Sequence, residues 1–193
     1  MDFRLFKDKT VLITGHTGFK GSWLASWLRS LKAKVVGVSL EATSQPSHFE
    51  VAGLSENIED HRFDIRDGQA LKKLVSNTQP DFVFHLAAQA LVRLSYDNPV
   101  ETYQTNVMGT LNLLEALRPL EKNCTAILIT SDKCYDNVEW VWGYRETDSL
   151  GGPDPYSASK GAAELVIRSH VKSFFQKKGP VRIGVGRAGN VIG

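Results

Sequence analysis

The sequence predicts an α/β protein built on a doubly wound parallel sheet with helices on both faces. Short apolar runs alternate along the chain with segments whose apolar residues recur every three or four positions. Continuously apolar runs are typical of strands that helices cover on both sides, and the other segments are typical of amphipathic helices. Repeated strand–helix alternation implies parallel strands joined by right-handed crossovers. A chain of 193 residues is long enough for one such domain.

Each element is located by its own pattern. Strands are predicted at residues 10–14, 35–39, 82–86, 126–130 and 182–186, with a further short strand before Phe63. The first helix carries an apolar stripe made of Trp23, Leu24, Trp27, Leu28 and Leu31. Another helix, with Val107, Leu111, Leu114 and Leu117, ends before Pro119, and a third begins near Asp154 and includes Leu165 and Val166. Residues 134–154 have little periodicity but hold two tryptophans and three glycines, which indicates a functional loop.

Composition argues against several classes of protein. The net charge of +2 gives no reason to expect a nucleic-acid or membrane partner. No apolar run approaches the roughly 20 residues that a transmembrane helix needs. Cys124 and Cys134 lie in no metal-ligand spacing and are expected to be buried free thiols. Because the N-terminus also lacks the apolar stretch of a signal peptide, we predict a cytoplasmic protein without a bound metal.

A glycine-rich turn after the first strand indicates a phosphate-binding site. Its glycines have the spacing G-x-x-G-x-x-G, a variant of the dinucleotide-binding fingerprint of Rossmann folds. Glycines let the backbone approach a pyrophosphate, and the exposed N–H groups at a helix start attract anions. The residues expected to hold a dinucleotide are Gly15, His16, Thr17, Gly18, Phe19, Lys20 and Gly21. Lys20 either adds charge near the phosphates or is a solvated lysine.

Two acidic residues bear on which dinucleotide is bound. Rossmann proteins that use NAD carry an acid about 20 residues beyond the glycines, where it binds the ribose 2′-hydroxyl. Glu41 lies in that neighbourhood, although it is equally explained as a loop carboxylate. No arginine or lysine between positions 37 and 50 could meet the 2′-phosphate of NADP, which favours NAD. Asp64 either accepts a hydrogen bond from the adenine amino group or caps the following helix.

Tyr156 and Lys160 form the pattern Tyr-x-x-x-Lys, which places both side chains on one face of a helix. A free tyrosine titrates near pH 10. A neighbouring ammonium, helped by the charge of a nicotinamide, would favour the phenolate and make it a base near neutrality. The glycine turn ahead of this pair, and Ser131 at a strand end between them, argue against two ordinary exposed helix residues.

Together these motifs resemble the extended short-chain dehydrogenase/reductase family over nearly the whole chain. The resemblance rests on the glycine turn, residues 85–89, residues 106–110, the Ser131 strand end and the Tyr156/Lys160 pair. Longer strings resemble one branch of that family, the CDP-glucose 4,6-dehydratases. These strings are residues 15–23, 91–96, 130–136, 140–146 and 187–193.

The resemblance implies NAD as cofactor, a nucleotide sugar (CDP-glucose) as substrate, and a homo-oligomer. It adds cofactor contacts from Asp64, Ile65, Leu86, Ala87, Ala88, Gln89, Asn106, Tyr156 and Lys160. It implies substrate contacts from Gln89, Arg93 and Asn190. Family members continue into a lobe that binds the nucleotide sugar, so residues 1–193 are expected to be an NAD-binding Rossmann domain from which the C-terminal substrate lobe is largely absent.

The implied reaction is a redox-neutral dehydration. Tyr156 takes the proton of the sugar 4-hydroxyl while hydride leaves C4, water then departs from C6, and hydride returns to C6. Ser131 binds the reacting oxygen, Lys160 holds the nicotinamide ribose, and Asp132 protonates the departing hydroxyl. Lys133 stands where the related dTDP-glucose dehydratases have a glutamate base. It either removes the C5 proton or only orients Asp132.

Two other functions stay open from the sequence. An NAD-dependent epimerase of the same family shares Tyr156 and Lys160, but it has no use for the Asp132/Lys133 pair. A non-catalytic NAD-binding protein would tolerate the loss of Tyr156, whereas every expected catalytic position is filled in this chain.

Overall fold

The computed structural model describes residues 3–175 and 179–192 and contains one six-stranded sheet. All its strand pairs are parallel, and the strand order is β3-β2-β1-β4-β5-β6. The strands are β1 Thr10–Thr14, β2 Lys34–Ser39, β3 Glu59–Arg62, β4 Phe82–His85, β5 Cys124–Ser131 and β6 Val181–Ala188. This is the strand order of the doubly wound dinucleotide-binding fold, so the predicted fold class is confirmed.

Helices connect and cover these strands. They are α1 Phe19–Ser30, α2 His48–Val51, α3 Gly68–Thr78, α4 Val92–Asp97, α5 Pro99–Tyr103, α6 Gly109–Leu117 and α7 Pro155–Phe174. The side chain of Asp67 accepts from the first N–H groups of α3, and that of Asp154 does the same for α7. Residues 104–108 form a π-helical turn between α5 and α6, and residues 132–134 form a short 3-10 helix after β5.

The hydrophobic core lies in two layers, one on each face of the sheet. Leu12 belongs to one layer and its neighbours Val11 and Ile13 belong to the other, because successive side chains of a strand point to opposite faces. The first layer packs β-strand residues against α3, α6 and α7, and the second packs them against α1 and α2. Both faces of the central strands are therefore buried, as the continuous apolar runs predict.

The first helix departs from its predicted stripe. Leu28 is fully buried, but Trp23 and Trp27 are 50% and 45% exposed. Trp23 stacks on the ring of His48, and Trp27 makes an edge contact with Phe3. The predicted apolar stripe is therefore only partly buried, because Phe3 and His48 cover the two tryptophans only in part. Leu165 on α7 is likewise exposed.

Several other expectations can be compared with the described residues. Cys124 and Cys134 are buried free thiols, as expected. Within residues 3–175 and 179–192, none of the helices combines the length and the apolar character needed to span a membrane. The same residues contain no group of three or more His, Cys, Asp and Glu side chains that could hold a metal ion.

The sheet topology determines where a ligand can bind. The chain winds outward from β1 to β2 and β3, then returns to β4 on the other side of β1. The connections after β1 and β4 therefore diverge and leave a crevice at the carboxyl ends of these two strands. Open α/β sheets bind their ligands at such a switch point. The glycine turn and the residues after β4 lie at this edge.

Candidate active site

The glycine turn is built by close contacts between backbone segments. Gly15 has a φ of +78°, and its N–H donates to the carbonyl of Val38. A Cβ on Gly15 would lie 2.7 Å from the Ala87 nitrogen, and one on Gly21 would lie 2.1 Å from the Gly15 carbonyl oxygen. Both glycines are therefore required by the fold itself, because a side chain at either position would separate α1 from the turn or the turn from the β4 loop.

Gly18 differs from the other two glycines because it is exposed. A Cβ there would lie 3.4 Å from the Gly15 carbonyl oxygen and meet nothing closer. Gly18 is also the N-cap of α1, with no capping side chain and no acidic residue in the first helical turn. The start of α1 thus presents N–H groups and the positive end of its dipole outward, which is the arrangement that binds phosphate.

The side chains of His16 and Thr17 anchor the turn to the neighbouring strands. His16 is fully buried, its ring fills the space beside Gly37, and its Nε2 lies 2.8 Å from Asp60 Oδ1. Burial lowers the pKa of His16, although Asp60 opposes that shift. The Thr17 hydroxyl donates to the carbonyl of Leu40. Both side chains point into the protein and leave the backbone of the turn available to a ligand.

The loop after β4 is held to the glycine turn and to the next helices. The Ala87 N–H donates to the Thr14 hydroxyl, and the Gln89 N–H donates to Asn106 Oδ1. The amide of Asn106, buried in the π-helical turn, donates to the Gln89 carbonyl and to the hydroxyl of Ser159 on α7. Asn106 therefore joins the predicted cofactor loop to the helix that carries Tyr156 and Lys160.

His85 ends β4 beneath this loop and supports it from within the protein. Its ring nitrogens lie 2.6 Å from the Thr14 hydroxyl and 3.0 Å from the Thr110 hydroxyl. Complete burial, assisted by the charge of Lys160, lowers its pKa to about 3. His85 is thus a neutral bridge between β1 and α6.

Tyr156 and Lys160 occupy the first turns of α7 and are both buried. The Lys160 ammonium lies 5.9 Å from the centre of the Tyr156 ring. Burial, and secondarily the charge of Lys20, lowers the pKa of Lys160 to about 8. The two side chains therefore meet as the Tyr-x-x-x-Lys spacing predicts, and Lys20 lies close enough to act on Lys160 electrostatically.

The pKa of Tyr156 is raised, although the Tyr-x-x-x-Lys pattern predicts that the neighbouring ammonium lowers it. Burial raises it above its ordinary value, and the carboxylates of Asp132 and Asp154 add to the rise, while a hydrogen bond with the Ser131 hydroxyl opposes it. In this chain the proximity of Lys160 does not offset the cost of burying a phenolate. Lowering the pKa of Tyr156 to neutrality therefore needs a further positive charge.

Ser131 and Asp132 lie at the carboxyl end of β5, beside Tyr156. The Ser131 hydroxyl donates to Asp132 Oδ1 over 3.0 Å and accepts from the Lys133 N–H. The side chains of Asp132 and Lys133 are exposed, whereas Ser131 is buried. A Cβ on Gly189 would lie 3.6 Å from Asp132 Oδ2, so the end of β6 faces this carboxylate. The structure thus gathers Ser131, Asp132, Tyr156 and Lys160 at one edge of the sheet.

Comparisons with known proteins agree with this geometry. The family model for GDP-mannose 4,6 dehydratase matches residues 12–177. The chain belongs to the GDP-mannose 4,6-dehydratase family. It is 52% identical, over its whole length, to the CDP-glucose 4,6-dehydratase of Salmonella typhimurium, of which it covers 55%. It is 34% identical, over 85% of its length, to the CDP-paratose 2-epimerase of Salmonella typhi, of which it covers 53%.

Solved structures of epimerases share the fold of this chain. An epimerase from Methanothermobacter thermautotrophicus matches with a TM-score of 0.80 and 27% identity over 96% of this chain and 52% of its own. The UDP-glucose 4-epimerase of Thermus thermophilus, solved in complex with NAD, matches with a TM-score of 0.77 and 27% identity over 92% of this chain and 54% of its own. The dehydratase-family chain thus spans about half the length of the relatives that it matches.

One residue of the dehydratase-family site was missed by sequence reasoning. Glu164 lies on α7 one turn beyond Lys160 and is buried. Its Oε1 accepts from the Thr130 hydroxyl at 2.5 Å, and its two oxygens accept from Nε and Nη2 of Arg187 at 3.0 Å each. The guanidinium also lies over the Tyr135 ring. The available signal was a carboxylate four residues after a buried lysine, on the same helix face.

Other predicted residues lie at the edges of the site. Asp67, and not Asp64, caps α3, and the Asp64 carboxylate accepts three hydrogen bonds from Arg66. Ile65 packs against Gly109 at the start of α6. Arg93 on α4, Asn190 after β6 and the Glu41 side chain are exposed. Gly193 lies outside the described residues. The cofactor and substrate contacts assigned to these positions stay predictions.

The buried lysine leads to a prediction about pH. Below pH 8, Lys160 is protonated in both the folded and the unfolded chain, and burial of its charge opposes folding. Between about 8 and its ordinary value of 10.5 the folded state loses the proton first, so this cost disappears as the pH rises. We expect Lys160→Met to increase the free energy of unfolding most below pH 8, with the gain shrinking toward pH 10.5.

Urea unfolding of both proteins across this pH range measures the difference. Lys172→Met, at an exposed position of the same helix, serves as the control and should show no such dependence. A gain that is constant from pH 7 to 10.5 would show that Lys160 keeps its ordinary pKa.

Proposed function

We propose that this chain is the NAD-binding half of a nucleotide-sugar 4,6-dehydratase whose substrate is CDP-glucose. The observation that carries the proposal is the Ser131–Asp132 hydrogen bond at the end of β5, beside the buried pair Tyr156 and Lys160. An acid at this position serves an elimination and has no role in a simple oxidation. The 52% identity to a CDP-glucose 4,6-dehydratase supports the same substrate.

The glycine turn fits NAD. The start of α1 is uncapped, carries no acid, and has Gly18 exposed where a pyrophosphate would approach the backbone. Lys20 adds positive charge at the same end of the helix. Relatives solved with NAD support the assignment. When bound, NAD would accept hydride from the sugar C4 and return it to C6 as a proton returns to C5, so that no net oxidation occurs.

Tyr156, Ser131 and Lys160 would act on the sugar 4-hydroxyl. Ser131 is in place to hydrogen-bond the oxygen, and Tyr156 to take its proton. The Lys160 ammonium lies beside the Tyr156 ring, and the positive charge of an oxidised nicotinamide would supply the stabilisation of a phenolate that the raised pKa of Tyr156 calls for. The resulting 4-keto group makes the C5 proton acidic, which prepares the elimination.

Asp132 and Lys133 would carry out that elimination. Asp132, positioned by Ser131, would enter this step as the protonated acid and give its proton to the departing 6-hydroxyl, while a base removes the C5 proton. We assign the C5 base to Lys133. A lysine acts as a base only when burial or a nearby cation weakens its hold on the proton. Lys133 is exposed among the described residues, so the substrate or the remaining half of such an enzyme has to provide that burial.

We also propose that the protein works in the cytoplasm as a homo-oligomer. Two buried free thiols suit a reducing compartment. Exposed large apolar side chains on and beside α4 and α5 support a surface that another chain covers. These side chains are Leu91, Tyr96, Val100 and Tyr103.

The first test concerns the cofactor. Gly18→Ala should lower the affinity for NAD by about tenfold or more, ~1.4 kcal/mol, because its methyl group projects toward the pyrophosphate while finding room within the protein. Calorimetric titration of the chain with NAD measures this. Gly143→Ala, at a position with no atom near its Cβ, is the matched control. Equal affinities of the two variants for NAD would show that the pyrophosphate does not bind at this turn.

The second test concerns the elimination. In a protein of the relatives' length that carries this sequence, Asp132→Asn keeps the shape of the side chain and removes its proton. Oxidation at C4 should continue, while loss of water slows by about 10²–10⁴-fold. NADH and a 4-keto sugar that retains its 6-hydroxyl should then accumulate, as detected by absorbance and mass spectrometry.

Two further variants serve as controls for Asp132→Asn. Tyr156→Phe should block oxidation itself, so that neither NADH nor a keto sugar forms. Asp136→Asn removes a carboxyl group from an exposed position in the same loop and should leave turnover unchanged. If Asp132→Asn releases water at the normal rate, Asp132 is a structural turn residue and the dehydratase proposal loses its mechanistic basis.

A further inference from the structure

Arg62 places a basic side chain at the end of β2, although the residues that follow β2 in the sequence include no arginine or lysine up to position 50. No arginine or lysine occurs between positions 37 and 50, which favours NAD over NADP. In the sheet, however, β3 pairs with β2 in a register that places Arg62 directly opposite Ser39, the last residue of β2. The end of β2 is where Rossmann proteins distinguish a ribose 2′-hydroxyl from a 2′-phosphate. An arginine therefore reaches this position from the neighbouring strand.

The guanidinium of Arg62 is held there by several contacts. Its Nη1 donates to the carbonyl of Leu40, and its Nη2 donates to Asp60 Oδ2 over 2.9 Å. Its Nη1 also lies 3.4 Å from Glu41 Oε2. The group packs over the ring of Phe49 at 4.8 Å. Arg62 is thus a fixed cation at the end of β2 rather than a free surface side chain.

The two carboxylates beside Arg62 have different roles. Asp60 is largely buried and also bonds His16 of the glycine turn, so it belongs to the framework. The Glu41 side chain is 83% exposed and lies next to the guanidinium on the loop that follows β2. Ser39 at the end of β2 is uncharged, and its hydroxyl bonds that of Thr17. Glu41 is therefore the carboxylate that an approaching ribose would meet first.

This arrangement distinguishes the two dinucleotides by charge. A 2′-hydroxyl is neutral and can donate to a carboxylate, whereas a 2′-phosphate is repelled by Asp60 and Glu41 and attracted by Arg62. We propose that Glu41 masks Arg62, which is otherwise competent to bind a phosphate, and that this pair determines the preference for NAD over NADP. The inference rests on the proposed dinucleotide site.

Calorimetric titration of the chain with NAD and with NADP tests the inference. The wild-type chain should bind NAD more tightly. Glu41→Gln keeps the side chain's size and unmasks Arg62, so the ratio of NADP affinity to NAD affinity should rise about tenfold, the effect of ~1.4 kcal/mol. In the double variant Glu41→Gln/Arg62→Gln this gain should disappear. Thermal melting of each variant reports whether the fold is intact.

A matched control separates local contact from general charge. Glu59→Gln makes the same change in net charge on β3, at the other end of the strand, where Glu59 pairs with His61. Its affinity ratio should equal that of the wild type. An unchanged ratio in Glu41→Gln, an equal gain in Glu59→Gln, or a gain that survives the removal of Arg62 would each overturn the inference while NAD binding stands. Absence of NAD binding by the wild-type chain would overturn the dinucleotide site as well.

Discussion

The geometry of the site depends on the hydrogen bonds that the buried carboxylate of Glu164 accepts from Thr130 and Arg187. This carboxylate joins α7 to the end of β5 through Thr130 and to the end of β6 through Nε and Nη2 of Arg187. Helix α7 carries Tyr156 and Lys160. Strand β5 ends at Ser131, just before Asp132, and β6 ends just before the backbone that faces Asp132. A buried ion pair of this kind is costly to break, because removing one partner leaves an uncompensated charge. It therefore fixes how α7 sits against the ends of β5 and β6.

Near Glu164, the crevice contains several ionisable groups whose charged forms are disfavoured by burial. Lys160 is buried with its pKa lowered to about 8, Tyr156 is buried with its pKa raised, and His85 is held neutral beneath them. Perturbed groups that cluster in a crevice are typical of active sites. An ionised phenolate at Tyr156 would relieve part of the cost of burying the Lys160 charge.

Local patterns predicted most of the fold, and long-range pairing explains what they missed. The first strand was predicted with its observed ends, because a buried apolar run is bounded there by the glycine turn. Trp23 and Trp27 fit the apolar stripe of a helix, but the spacing of apolar residues does not tell which part of the stripe other elements bury. Arg62 and Glu164 owe their positions to strand register and to a partner on a distant strand. Neither relation can be read from spacing along the chain.

We propose that Asp132 and its neighbours serve an elimination from a nucleotide sugar. The most direct measurement is mass spectrometry of CDP-glucose after incubation with NAD and a protein of the relatives' length that carries this chain. We expect a product lighter by one water that has the alkaline absorbance of a 4-keto-6-deoxy sugar, with no NADH remaining. A product of unchanged mass, isomerised at one carbon, would identify an epimerase and contradict the proposed dehydratase activity.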